Sequence, residues 1–242
     1  MLVAYDGGGF HGFARQAGAV RTVQGNLEAA LTTVLRAPIE TVGAGRTDAG
    51  VHAAGQVVSF EAGAGVDTEH LLRSLNGLLG PEIVVHNAEQ AAADFDARRD
   101  ALDRTYRYFV HNAESADPLL RHTSWHVADP LDLVAMNAGA GHVVGEHDFA
   151  AFCRAAGGRS TIRTVTAAAW SAAGEGLARF DITALAFCHQ MVRSLVGLLV
   201  EVGRGRRPPG AVAQALAARD RSTAGPVAPP HGLVLWRVRY AS

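Results

Sequence analysis

The chain opens on a short apolar run, Leu2-Val3-Ala4-Tyr5, that stops at Asp6-Gly7-Gly8-Gly9, the pattern of a strand running into a glycine turn. Leu27, Ala30, Leu31 and Val34 then recur at the spacing of one helix face, with Thr22 placed to cap the start and Pro38 to end it. Ile39–Val42 reads as a strand that enters a glycine-rich loop, and strand character resumes over Gln56–Glu61. A helix over His70–Leu79 and a strand over Ile83–Val85 follow. The second half predicts strands over Thr105–His111, Thr164–Ser171 and Ala178–Ala184, and a helix over Leu131–Val144. The longest helix is expected over Phe187–Val202, where Met191, Leu195, Leu198, Leu199 and Val202 keep helical spacing, with Gly203 and Pro208-Pro209 beyond its end. Ser222–His231 is a Pro-rich loop, and Leu233–Tyr240 closes the chain as a strand.

Strands returning as hairpins, interleaved with helices in both halves, point to an α+β fold. The expected architecture is two related lobes of mixed, mostly antiparallel sheet with flanking helices, spanning residues 1–100 and 101–242, with an active-site cleft between them. At 242 residues and 48% hydrophobic content the chain can bury a core of that size. No stretch approaches the roughly 20 apolar residues that cross a bilayer, so no membrane association is expected. The N-terminus lacks the basic region of a signal or transit peptide, and two cysteines, Cys153 and Cys188, cannot frame a disulfide scaffold. A reducing cytoplasm is the expected compartment.

A formal net charge of −1 offers no global attraction for nucleic acid. The chain has no lysine, however, so all 22 basic residues are arginines, the side chain suited to bidentate phosphate contacts and to stacking on bases. An Ala, Gly and Arg bias of this kind also fits a GC-rich genome.

Three constellations carry chemistry. In Gly45-Arg46-Thr47-Asp48-Ala49-Gly50-Val51-His52, glycines allow a sharp turn between two strands. An isolated Asp there would be an ordinary turn former, but Arg46 stands two residues away and can pair with Asp48, keeping it ionised and able to act as a nucleophile. In Arg104-Thr105-Tyr106-Arg107-Tyr108, strand alternation puts Arg104, Tyr106 and Tyr108 on one face, an arrangement that suits either unstacked bases or an aromatic pair packed in a core. Arg193 sits in an otherwise apolar helix and must reach an acid, a phosphate or solvent.

The stretch Ala44 to His52, followed by Gly55-Gln56-Val57, closely resembles the active-site loop of the tRNA pseudouridine synthase A family. The resemblance runs in order along essentially the whole chain. It takes in Tyr5-Asp6-Gly7 with Phe10, Gly12 and Gln16, Thr22-Val23-Gln24, and Asp94-Phe95-Asp96-Ala97-Arg98. It continues through Tyr106-Arg107-Tyr108, His147-Asp148-Phe149, Phe187 to Arg193, Gly197, Glu201-Val202-Gly203 and Gly232-Leu233. Departures are Phe13 where the family usually has Trp, Gln190 where it has a second His, and only four residues before Tyr5, which leaves the true start open.

The resemblance implies an isomerase that converts uridine to pseudouridine at positions 38, 39 and 40 in the anticodon arm of tRNA. It also implies a homodimer that needs neither metal nor cofactor. By position Asp48 matches the nucleophilic aspartate and Arg46 the arginine that pairs with it and helps displace the nucleotide. Tyr106 matches the tyrosine that stacks on uracil, Arg193 and Leu233 match residues lining the same pocket, and Tyr108 has no assigned role. Candidate phosphate contacts are Arg98, Arg99, Arg204, Arg206, Arg207, Arg219 and Arg221, each equally suited to a solvated surface. Two rival readings are a metal hydrolase built on His122 with His126 or His142 with His147, which lacks any recognised ligand spacing, and an RNA-binding module without catalysis.

Overall fold

A computed structural model describes residues 1–63, 65–154 and 160–241. Its residues divide into two compact units, Met1–Arg104 together with the C-terminal segment from Val234, and Thr105–Leu233. The closing strand, expected in the second lobe, belongs to the first unit from Val234 onward.

The first unit starts with β1 (Leu2–Tyr5), α1 (Val23–Leu35), β2 (Thr41–Gly43), β3 (His52–Phe60), α2 (Thr68–Leu79) and β4 (Ile83–Asn87). Thr22 caps α1 as expected, its hydroxyl accepting from the Gly25 N–H at 3.2 Å, and Arg36 in the left-handed conformation ends the helix. Asp67 caps α2 by accepting from Glu69 and His70. β1 pairs antiparallel with both β3 and β4, and β2 pairs antiparallel with the far end of β3. Ala30 and Leu31 of α1 and Leu71 and Leu75 of α2 pack with Val85 into one buried cluster, so both helices cover the same core. The Asn76 amide ties α2 to β4 through both backbone groups of Val85, at 2.9 and 2.7 Å.

The second unit holds β5 (Asp103–Asn112, from Thr105 onward), β6 (Trp125–Val127), α3 (Leu133–Gly141), β7 (Gly145–Asp148), β8 (Ile162–Ala172), β9 (Leu177–Ala184), α4 (Met191–Gly203) and α5 (Ala211–Ala218). Its strand order is β5-β9-β8-β7, with β6 alongside β5. β7, β8 and β9 are antiparallel neighbours and β6 runs parallel to β5. α3 packs on β8 and α4, and Met136, Leu195, Leu198, Leu199, Val202 and Val212 are all buried. The last strand, β10 (Leu233–Arg239), runs parallel to β3 in the first unit, pairing Val234 with His52 and Leu235 with Ala53. Mixed, mostly antiparallel sheet with flanking helices is thus the observed fold class, as the periodicity predicted.

α4 begins four residues later than expected. Gln190 adopts a left-handed backbone, φ 65°, which a helix cannot propagate through, so Phe187 to Gln190 form a connection rather than a first turn. α3 is likewise shorter than its pattern, and β6, β7 and α5 carried no signal that the sequence reading used. Cys153 and Cys188, 35 residues apart, are joined as a disulfide with Cα atoms 5.7 Å apart, although nothing in their spacing marked them as a pair. Among the described residues no helix is long and apolar enough to cross a membrane.

Candidate active site

In the first unit, β2 and β3 are joined by the loop that carries Arg46 and Asp48. Backbone groups of this loop and the Thr47 hydroxyl bond to neighbouring elements. The Ala44 N–H donates to the Val57 carbonyl at 2.9 Å, and the Ala44 carbonyl accepts from Arg104 Nε and a terminal nitrogen at 3.3 and 3.0 Å. Gln56, wholly buried on β3, grips Gly45 from both sides: its Oε1 accepts the Gly45 N–H at 3.3 Å and its Nε2 donates to the Gly45 carbonyl at 2.7 Å. The Thr47 carbonyl accepts from the Phe13 N–H at 3.1 Å, and the hydroxyls of Thr47 and Tyr5 lie 2.8 Å apart in a buried contact. The Val51 N–H closes the turn on the Asp48 carbonyl at 3.1 Å. Gly12, at φ +97°, approaches this segment so closely that a Cβ there would meet the Thr47 carbonyl oxygen at 2.9 Å, so the tip of the preceding loop admits only glycine.

Asp48 is half-buried at the crest of this clamped segment, while Arg46 is exposed. Among the described residues the Arg46 guanidinium makes no hydrogen bond or ion pair, so the pairing with Asp48 suggested by their two-residue spacing is not formed here. Burial pushes the Tyr5 hydroxyl above its ordinary range, with Thr47 and Gln56 opposing through hydrogen bonds, so it is a neutral phenol at physiological pH.

Tyr106, Arg193 and Leu233 belong to the second unit. Tyr106 on β5 is 7% exposed and meets Phe187 edge to face, ring centres 4.9 Å apart at 82°. That geometry fixes the ring plane. Arg193, in the first turn of α4, is tied to Ala228 twice: Arg193 Nε donates to the Ala228 carbonyl at 2.8 Å and the Arg193 carbonyl accepts the Ala228 N–H at 3.0 Å. Leu233 is buried at the start of β10. Tyr108 is fully buried and donates to the Pro229 carbonyl at 2.8 Å; burial raises its hydroxyl above the ordinary range, with the Arg193 charge acting against that. It is therefore the core partner of the two aromatics, and the idea of an exposed Tyr106–Tyr108 pair does not hold.

A family model for tRNA pseudouridine synthase matches residues 1–98 and 140–241. The chain belongs to the tRNA pseudouridine synthase family. It is 42% identical over 244 residues to tRNA pseudouridine synthase A of Myxococcus xanthus, covering 99% of this chain and 91% of that protein. The corresponding enzyme of Frankia casuarinae is 46% identical over 240 residues, 98% of this chain and 87% of its own. That of Geobacter sulfurreducens is 42% identical over 242 residues, covering 99% and 98%.

The structure gives parts to residues whose roles the sequence did not display. Phe187, expected as the first residue of the longest helix, is the ring against Tyr106. Tyr5, Gln56 and Arg104 hold the Asp48 loop through backbone atoms, which no spacing pattern displays. Of the arginines suggested for phosphate, Arg204 and Arg206 share Asp129 and Glu201, and Arg219 pairs with Asp148. Their charge is offset locally, which weakens them as anion contacts. The Nε2 atoms of His126 and His147 lie within hydrogen-bond distance of the backbone carbonyls of Ala113 and Val144, and among the described residues no group of three or more His, Cys, Asp or Glu is arranged to hold a metal ion.

Proposed function

We propose that this chain is an RNA-modifying isomerase that converts uridine to pseudouridine at positions 38, 39 and 40 in the anticodon arm of tRNA, with Asp48 as the nucleophile. The observation that carries the reading is half-buried Asp48 on a loop pinned by buried bonds at Gly45 and Thr47, in a chain of the tRNA pseudouridine synthase family. A carboxylate held this way loses little freedom on reaching a transition state, which is where oriented nucleophiles gain their rate.

The reaction breaks the bond from C1′ to N1, turns the uracil over, joins C5 to C1′ and transfers the C5 proton away while N1 takes one up. Three routes are open to the Asp48 carboxylate: attack at C1′, with an ester forming as N1 leaves and breaking as C5 returns; a part in elimination to a glycal; or attack at uracil C6. Tyr106 supplies the aromatic face for the detached base and a hydroxyl able to take the C5 proton. Arg46, exposed two residues from Asp48, helps displace the target nucleotide from its stack, a step costing a few kcal/mol. By the family resemblance Arg193 and Leu233 are further uracil contacts, and the enzyme works as a cytoplasmic homodimer without metal or cofactor.

Tritium release from tRNA labelled at uracil C5 tests the proposal. Wild type should release label and Asp48→Ala should not, while both bind tRNA equally. Absence of release by wild type on several tRNAs with uridine in the anticodon arm would overturn it in favour of an RNA-binding module.

A further inference from the structure

The contacts below Asp48 include more polar groups than packing alone requires. Tyr5, Thr47 and Gln56 are 4%, 7% and 0% exposed, and a phenylalanine, a valine and a methionine would fill those volumes without any buried hydroxyl or amide. The direction of the Gln56 hydrogen bonds can be worked out. Gly45 offers one donor and one acceptor to Gln56, so its Oε1 must take the Gly45 N–H and its Nε2 must face the Gly45 carbonyl. The Tyr5 hydroxyl meets Thr47 Oγ1 at 2.8 Å in a buried contact in which either oxygen can donate.

We propose that Gln56, through Gly45, and Tyr5, through Thr47, act together to position Asp48, holding the loop at two points on the N-terminal side of the carboxylate. The three are positioning residues, acting through the backbone rather than on substrate, and the inference rests on the reading of Asp48 as the nucleophile. Thr47 is thus held at its hydroxyl by Tyr5 and at its carbonyl, in the peptide bond that leads to Asp48, by the Phe13 N–H. Loss of the Thr47 hydroxyl frees that peptide to tilt, moving the carboxylate by a fraction of an ångström. Displacements of that order cost well over tenfold in oriented reactions.

The test is single-turnover tritium release at saturating tRNA with three full-length variants. Thr47→Val keeps the shape and removes the hydroxyl, Thr47→Ser keeps the hydroxyl and trims a methyl, and Tyr5→Phe removes the hydroxyl that faces Thr47. Thr47→Val and Tyr5→Phe should each slow the saturated rate about tenfold or more with the half-saturating tRNA concentration unchanged, and Thr47→Ser should return to within about threefold of wild type. The double variant Tyr5→Phe/Thr47→Val should be no slower than the slower single one, because both changes break the same contact. Thermal melts confirm that each variant is folded at the assay temperature. Equal rates for Thr47→Val and wild type, equal slowing by Val and Ser, or multiplicative slowing in the double variant would each overturn the proposal. Absence of release by wild type would instead refute the pseudouridine reading, leaving the two failures distinguishable.

Discussion

The Gly197→Ala substitution sets two effects of opposite sign against each other. Ala is a better helix former than Gly by about 1 kcal/mol in a helix interior, so propensity alone predicts stabilisation of α4. The structure predicts the reverse. A Cβ on Gly197 would lie 1.8 Å from the Pro226 carbonyl oxygen, 2.9 Å from its carbon and 3.4 Å from the Ala228 nitrogen, all backbone atoms. Reaching ordinary contact requires the segment at 226–228 to retreat by more than about 1.5 Å. That segment is bonded reciprocally to Arg193 at 2.8 and 3.0 Å, and Ala228 is fully buried, so the retreat breaks both bonds. Overpacking costs roughly 1–3 kcal/mol and the two bonds, one of them from a charged donor, about 2–4 kcal/mol more. After the propensity gain, about 4 kcal/mol of destabilisation remains at the middle of these ranges, or a melting temperature about 8–16 °C lower.

Gly77, also helical but with nothing within 4 Å of its added Cβ, is the matched control: Gly77→Ala should stabilise by about 0.5–1 kcal/mol. Thermal and urea unfolding followed by circular dichroism measure both. A Gly197→Ala protein that melts at or above wild type would refute the argument that backbone approach, rather than helix propensity, decides this position.

Two further outcomes follow from the same coordinates. The Asp148 carboxyl is held below its ordinary range chiefly by the Thr161 hydroxyl at 2.5 Å, and also by the Ala150 N–H and Arg219, against a smaller desolvation effect. A depressed native pKa adds stability above the unfolded value, about 3.9, and loses it as pH falls through the native value. Unfolding midpoints measured from pH 5 downward should therefore fall less steeply in Asp148→Asn than in wild type, and parallel curves would refute this. Phe187→Ala removes the edge contact that fixes the Tyr106 ring, worth about 1 kcal/mol, and should slow single-turnover tritium release several-fold without changing tRNA half-saturation; an unchanged rate would refute a part for Phe187 in orienting that ring.

Legibility in the sequence followed how local each determinant was. Thr22 and Pro38 bracket α1 from within a few residues of it, and the apolar spacing of Leu195, Leu198 and Val202 lies inside α4 itself, so both helices were readable. β3 was read four residues too short because His52-Ala53-Ala54-Gly55 has little strand propensity. The reason is non-local: a Cβ on Gly55 would stand 2.4 Å from the Trp236 carbonyl oxygen, so a neighbour nearly two hundred residues away dictates a small residue there. β6 and β7, three and four residues long, are too short to establish a period. α5 is built mainly from Ala and Val and has no polar face to contrast with an apolar one.

The same distinction separates the visible part of the site from the hidden part. Asp48, Arg46 and Tyr106 announce themselves because their chemistry is in the side chain and a reader of residue types sees it. What makes Asp48 usable is carried by atoms every residue has: the N–H and carbonyl of Gly45, the carbonyls of Ala44 and Thr47. Of their partners, Gln56 lies 11 residues and Arg104 60 residues from the group it holds, and Phe13 belongs to a separate loop, so no repeating interval links them. A backbone group has no identity in a sequence, so a nucleophile can be named from residues alone while the framework that orients it becomes readable only when the chain is folded.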